Sequence, residues 1–207
     1  MTIYGQFSEK FEKLWKKTTL KERGLLFYYS LFDYESFEQG VSTNFMFIIK
    51  KYNDELINLI KKLDKNFFHH ANKESFSKKV AGDFLVRSIL CRELSNRGIK
   101  VKKEDKISDL CVKDNIHIEI KRLTTTRQLR EYIESIKNKK IKDEDRLGVL
   151  LLFPVLKDGE KERIEELTFG YYSLNTYLGA KMIICCVTKT NFEEVITKIQ
   201  NNLGNFK

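Results

Sequence analysis

The chain has 207 residues, 38 Lys plus Arg against 29 Asp plus Glu, a formal net charge of +9 and a sequence pI near 9.2. Its 42% hydrophobic content is enough for a real core. An apolar run of about 18 residues is missing, which excludes a membrane span, and Met1-Thr2-Ile3-Tyr4 lacks a signal-peptide pattern, so an intracellular location is expected. The charge favours a polyanionic partner, with nucleic acid ahead of membrane.

Residues 1–77 read as all-helical. Phe7, Phe11 and Leu14 recur at helical spacing. Thr19-x-x-Glu22 is a capping box ahead of Leu25, Leu26, Tyr28 and Tyr29. Ser42 or Thr43 caps a longer helix through Phe45, Ile48, Ile49, Leu56 and Ile60. Lys16-Lys17, Lys50-Lys51 and Lys61-Lys62 interrupt these faces, as on a solvated surface. No long linker follows, so this region is expected to pack on the rest as an appendage.

Residues 78–207 alternate helix and strand. A helix from about Lys79 to Asn96 stops at Gly98. A short strand is expected near Ile99–Lys102, a hairpin over Ser108–Leu123, and a helix from Thr124-Thr125-Thr126 through Ile136. An apolar strand covers Leu147–Val155, helical sequence Glu160–Leu178, a second apolar strand Lys181–Thr188, and a last helix Asn191–Leu203. The two apolar strands read as buried centre strands covered on both sides. The fold class is α/β with core order α-β-β-β-α-β, a mixed sheet flanked by helices.

The hairpin carries the chemistry. Side chains alternate along a strand, so Glu119 and Lys121 share a face. A two-residue loop Asp114-Asn115 would pair residue 109 with 120 and split the apolar residues between faces. A three-residue loop Lys113-Asp114-Asn115 pairs 109 with 119, 110 with 118 and 112 with 116. Leu110, Val112, Ile116, Ile118 and Ile120 then share one face, and Asp109, Glu119 and Lys121 the other. Such a loop wants a left-handed third residue, and Asn115 tolerates that conformation. Two adjacent carboxylates repel unless a cation lies between them. All-oxygen ligands suit magnesium or manganese, which would acidify a water and neutralise charge on a phosphate. Lys121 would steady the phosphate charge or hold the water. The plainer reading of these residues is a salt-bridging surface.

Asp109 followed ten residues later by Glu119-x-Lys121 resembles the PD-(D/E)xK nuclease superfamily, the restriction-endonuclease-like fold. Ser108 stands where the family pattern has Pro. Gln128 and Tyr132 form a Q-x-x-x-Y element similar to that of the RecB-type and phage-exonuclease branch, and at i, i+4 they share a helix face. The resemblance covers about residues 78–190. It implies a metal-dependent deoxyribonuclease, with Asp109, Glu119 and the Ile120 carbonyl as ligands of Mg2+ or Mn2+ and Lys121 assisting the water. Gln128 and Tyr132 would contact the scissile strand or hold Lys121. A third carboxylate from the preceding helix is expected to be Asp83, with Glu93 as the second candidate; Asp83 serves otherwise as that helix's N-cap. An upstream His sometimes ligates metal in related nucleases, which brings in His69-His70, although packing or surface roles fit that pair better. Cys91, Cys111, Cys185 and Cys186 lack C-x-x-C spacing and read as buried structural thiols.

Two other readings fit the same residues: a non-catalytic basic DNA-binding or assembly protein on this fold, and an RNA endonuclease. Exonuclease, restriction-type and junction-resolving activities are equally compatible. A two-fold homodimer would favour the last two.

Overall fold

The structure, a computed structural model, describes residues 3–32, 43–68, 81–103, 109–113, 116–122, 127–128, 131–132, 134, 146–156 and 181–204. The chain forms two compact units, Met1–Ile89 and Leu90–Lys207.

In the first unit, helices α1 (Ile3–Lys16), α2 (Leu20–Ser30) and α3 (Thr43–Leu63) follow from their apolar spacing. Phe11, Leu14, Trp15, Leu26, Phe27, Ile49, Leu56 and Ile60 are buried among them. The expected capping box is present: the Thr19 N–H donates to Glu22 Oε2 at 2.8 Å and the Glu22 N–H to Thr19 Oγ1 at 3.3 Å. Those bonds from Thr19 hold the Glu22 carboxyl below its ordinary range. Tyr52 of α3 lies tilted against Phe32 with ring centres 4.6 Å apart and meets Tyr28 edge-on at 5.8 Å. Lys10 Nζ donates to the Phe67 carbonyl at 3.1 Å, fastening α1 to the residues that follow α3.

Helix α4 (Ala81–Asn96) contains the boundary between the units. It ends where the sequence says it should. Gly98 has φ +79°, a left-handed conformation that costs a glycine little. The Ile99 N–H then donates to the Leu94 carbonyl and the Gly98 N–H to the Ser95 carbonyl, both at 3.0 Å, completing a Schellman cap.

In the second unit, β1 (Val101–Lys103), β2 (Leu110–Val112), β3 (Ile116–Arg122), β4 (Arg146–Pro154) and β5 (Lys181–Val187) form one five-stranded sheet in that order. The pairs β1–β2 and β2–β3 are antiparallel; β3–β4 and β4–β5 are parallel. Residues 127–128, 131–132 and 134, between β3 and β4, are helical. Helix α5 (Phe192–Gly204) returns against β5 with Phe192, Val195, Ile196, Ile199 and Leu203 buried. Asn191 starts it, accepting the Thr188 N–H at 2.8 Å and donating to the Cys186 carbonyl at 2.9 Å. Arg97, just past α4, pairs with Glu193 and donates to Thr197 Oγ1 at 3.0 Å, joining the end of α4 to α5.

The fold is thus mixed α/β, a five-stranded mixed sheet with helices and with N-terminal helices before the sheet. Asp83 lies within helix α4, as the first expectation had it, and not at an N-cap. Two details differ from expectation. Strand β1 starts at Val101, later than expected, because the Schellman cap occupies Gly98 and Ile99. β5 is buried from Met182 to Val187, yet among the described residues it ends the strand order instead of lying at the centre. In the hairpin loop Lys113 adopts a left-handed φ of 53°, and its N–H donates to the Lys100 carbonyl at 2.9 Å. Asn115, His69, His70 and the helical sequence at 160–178 lie outside the described residues.

Candidate functional site

The hairpin register is the one that hydrophobic patterning demands. Leu110 pairs with Ile118 and Val112 with Ile116, leaving Lys113 to 115 as the loop. The Asp109 N–H also donates to the Ile118 carbonyl at 3.0 Å, one residue off the Leu110–Ile118 pairing, a bulge-like bond that ends the regular ladder at Asp109. Leu110, Val112, Ile116 and Ile118 are buried on one face. Asp109, Glu119 and Lys121 belong to the other.

On that second face the side chains interlock. Asp109 Oδ2 accepts the Ile120 N–H at 2.7 Å, so the carboxylate is oriented by the backbone of the neighbouring strand. Lys121 Nζ lies 2.7 Å from Glu119 Oε1, with the two side chains 40% and 25% exposed, open enough for solvent or substrate to reach. The same ammonium stands 5.6 Å from the ring centre of Tyr132. Burial first, then the negative charge of Glu119 and, more weakly, that of Asp109, push the Tyr132 phenol well above the ordinary tyrosine value. One phenol therefore feels both carboxylates. Asp109, Glu119, Lys121 and Tyr132 form a single cluster.

The parallel register fixes what lies beside it. Glu119 aligns with Val149 and Lys121 with Leu151. Val149, Leu151, Phe153, Met182, Ile184 and Cys186 form a buried apolar cluster on this face, and Tyr132 packs against it. Gln128, four residues before Tyr132 in the helical stretch, is half-buried. Arg127 and Glu131, each one position earlier, pair at 2.7 Å on the exposed side. The i, i+4 reasoning therefore placed Gln128 and Tyr132 on the inward side of the stretch.

Of the remaining candidates, Ile120 has its N–H tied to Asp109 as described. Glu93 is buried, 5% exposed, on α4. The Asp83 side chain lies outside the described residues. Among the described residues no three His, Cys, Asp or Glu side chains gather as a metal-holding group. Two carboxylates and a main-chain carbonyl nonetheless suit magnesium or manganese, which bind through one or two carboxylates while keeping waters and substrate phosphates.

The sequence reading passed over one residue of this face. His117 is two positions before Glu119 and pairs across the ladder with Cys111. Strand alternation alone puts it beside the carboxylates, and that signal was available. The cysteines are free thiols, with Cys111, Cys185 and Cys186 buried and Cys91 half-buried. Burial pushes Cys185 up to about 12, so its thiol is inert near neutrality.

No family model, no curated protein and no solved structure matches this chain. Among the described residues, no helix is long and apolar enough to cross a membrane.

Proposed function

We propose that the protein is a divalent-metal-dependent nuclease that hydrolyses phosphodiester bonds in DNA. The observation that carries this reading is the convergence of Asp109, Glu119, Lys121 and Tyr132 at one place on one sheet face. The order of elements around that place supports a restriction-endonuclease-like sheet of the PD-(D/E)xK kind. Gln128 and Tyr132 support the branch with the Q-x-x-x-Y element. The net charge of +9 suits a polyanionic substrate.

Asp109, Glu119 and the Ile120 carbonyl would hold magnesium or manganese, which when bound neutralises phosphate charge and acidifies a water. The backbone bond from Ile120 fixes the Asp109 carboxylate before any substrate arrives. Lys121, held by Glu119 and braced by the Tyr132 ring, presents an ammonium to the phosphoryl oxygens, where negative charge grows during attack. Tyr132 keeps its proton and serves as a hydrogen-bond donor, not as a base. Gln128, one helical turn away, would contact the same strand of substrate.

The test is cleavage of linear, circular and four-way-junction DNA, and of RNA, with manganese or with EDTA. Wild type is compared with Glu119→Ala and Asp83→Ala. Cutting of DNA that needs both the metal and Glu119 is expected, with the preferred substrate giving the class of nuclease. Loss of cutting in Asp83→Ala as well would identify the third carboxylate. DNA binding without cutting would leave a non-catalytic DNA-binding protein, and preference for RNA would make it a ribonuclease.

A further inference from the structure

One face of the sheet carries a second polar row beside the carboxylates. Lys102 pairs with Cys111 and Cys111 with His117, so these residues cross β1, β2 and β3 in one line. Directly opposed residues point to the same side. On β3 the row lies two residues, about 7 Å, from Glu119. Lys102 is exposed and His117 half-buried. Cys111, the short side chain between them, is 4% exposed and makes a floor. On β4 the residue in line with His117 is Leu147, so the polar row stops at β3.

We infer that Lys102 and His117, above the Cys111 floor, form the seat for the phosphate next to the scissile one. This rests on the nuclease reading of the neighbouring carboxylates. Lys102 brings an ammonium and His117 an imidazole able to donate an N–H to an incoming anion, whereas the adjacent row brings carboxylates. A nucleic-acid strand lying along β3 thus has one phosphate over Glu119 and Lys121 and its neighbour over His117 and Lys102. The row spacing matches that of successive phosphates on an extended strand. The seat also sets direction: the strand leaves the site toward the loop at residues 113–115. Lys103, one residue further on β1, carries the same charge on the opposite face.

The experiment measures binding of a fluorescent DNA oligonucleotide to the full chain in EDTA over a range of salt. Wild type, Lys102→Ala, His117→Ala and Lys103→Ala are compared, and cleavage with manganese is read in parallel. Lys102→Ala is expected to make the slope of log affinity against log salt shallower by about 0.7 to 0.9, one phosphate contact, and to weaken binding several-fold. His117→Ala should weaken binding several-fold and Lys103→Ala much less. In cleavage, one uncharged methylphosphonate linkage beside the cut should slow wild type several-fold and leave the Lys102→Ala/His117→Ala double variant indifferent. Equal losses from Lys102→Ala and Lys103→Ala would overturn the seat, since only bulk charge would then matter. Glu119-dependent cleavage with no specific loss in Lys102→Ala or His117→Ala would overturn the seat and leave the nuclease standing. Specific binding losses without cleavage would overturn the nuclease and the seat's place beside a scissile bond. Failure to bind DNA at all would overturn both.

Discussion

One face of the sheet has two halves that share a backbone and differ in everything else. Over β4 and β5 it carries Val149, Leu151, Phe153, Met182, Ile184 and Cys186, all buried. Over β2 and β3, in the same rows, it carries Asp109, Glu119 and Lys121, which are partly open to solvent. The first half holds the unit together. The second half does little for stability, because an ion pair as exposed as Glu119–Lys121 is worth at most about 1 kcal/mol. Tyr132 joins the halves, its ring packed on the apolar cluster and facing the Lys121 ammonium. Charge placed in continuation of a core is what a reaction site requires and what stability does not.

The sharpest way to break this comparison is to exchange the readouts. Glu119→Ala and Lys121→Ala should each lower metal-dependent cleavage by about 100- to 10,000-fold, the range for lost acid–base or charge-stabilising groups. Their thermal unfolding should stay within about 1 kcal/mol of wild type. A large loss of stability with cleavage intact would reverse the roles given to the halves.

Leu151→Ala, in line with Lys121 on the neighbouring strand, should do the opposite. Its side chain is fully buried, and removing it should cost about 2–5 kcal/mol in urea unfolding. A cost under about 1 kcal/mol would mean that this half of the face is not core.

Asp109 lies between the two kinds of residue, since it serves the backbone as well as the site. Asp109→Ala should lose about 1.5–3 kcal/mol with the bond from the Ile120 N–H, whereas Asp109→Asn keeps an acceptor and most of the stability. Both should lose cleavage. Wild-type cleavage by Asp109→Asn would remove Asp109 from the site.

The smallest effect concerns Tyr132. Near neutrality Tyr132→Phe should change stability by less than about 1 kcal/mol, because the ring is kept. At high pH the two proteins should part. The unfolded phenol ionises at about pH 10. The folded phenol holds its proton to higher pH, because burial and Glu119 oppose a further negative charge. Wild-type stability is therefore full below that pH and falls as pH rises through it. Tyr132→Phe should fall less steeply in urea unfolding. Parallel curves would show that the hydroxyl is not held against the carboxylates.

Much of this was legible in the chain because it depends on local rules. The capping box at Thr19 and Glu22, the Schellman stop at Gly98 and the hairpin register each follow from a few neighbouring residues. The register was readable because a slip of one residue would have turned Leu110, Val112, Ile116, Ile118 and Ile120 to the wrong side. Alternation places His117 on the Glu119 face as plainly as it places Lys121 there. The position of β5 at the end of the strand order among the described residues was not readable. Six consecutive buried residues look the same whether the next layer is another strand or a helix.

The sequence by itself determined the strands, their hairpin register and which side chains share a face, because periodicity and turn chemistry act over a few residues. Only the tertiary structure decided the strand order, the alignment of Glu119 and Lys121 with Val149 and Leu151, and the placing of Tyr132 over both halves. Those relations join residues far apart in the chain. They depend on how crossover connections lay one strand beside another, which no local pattern encodes.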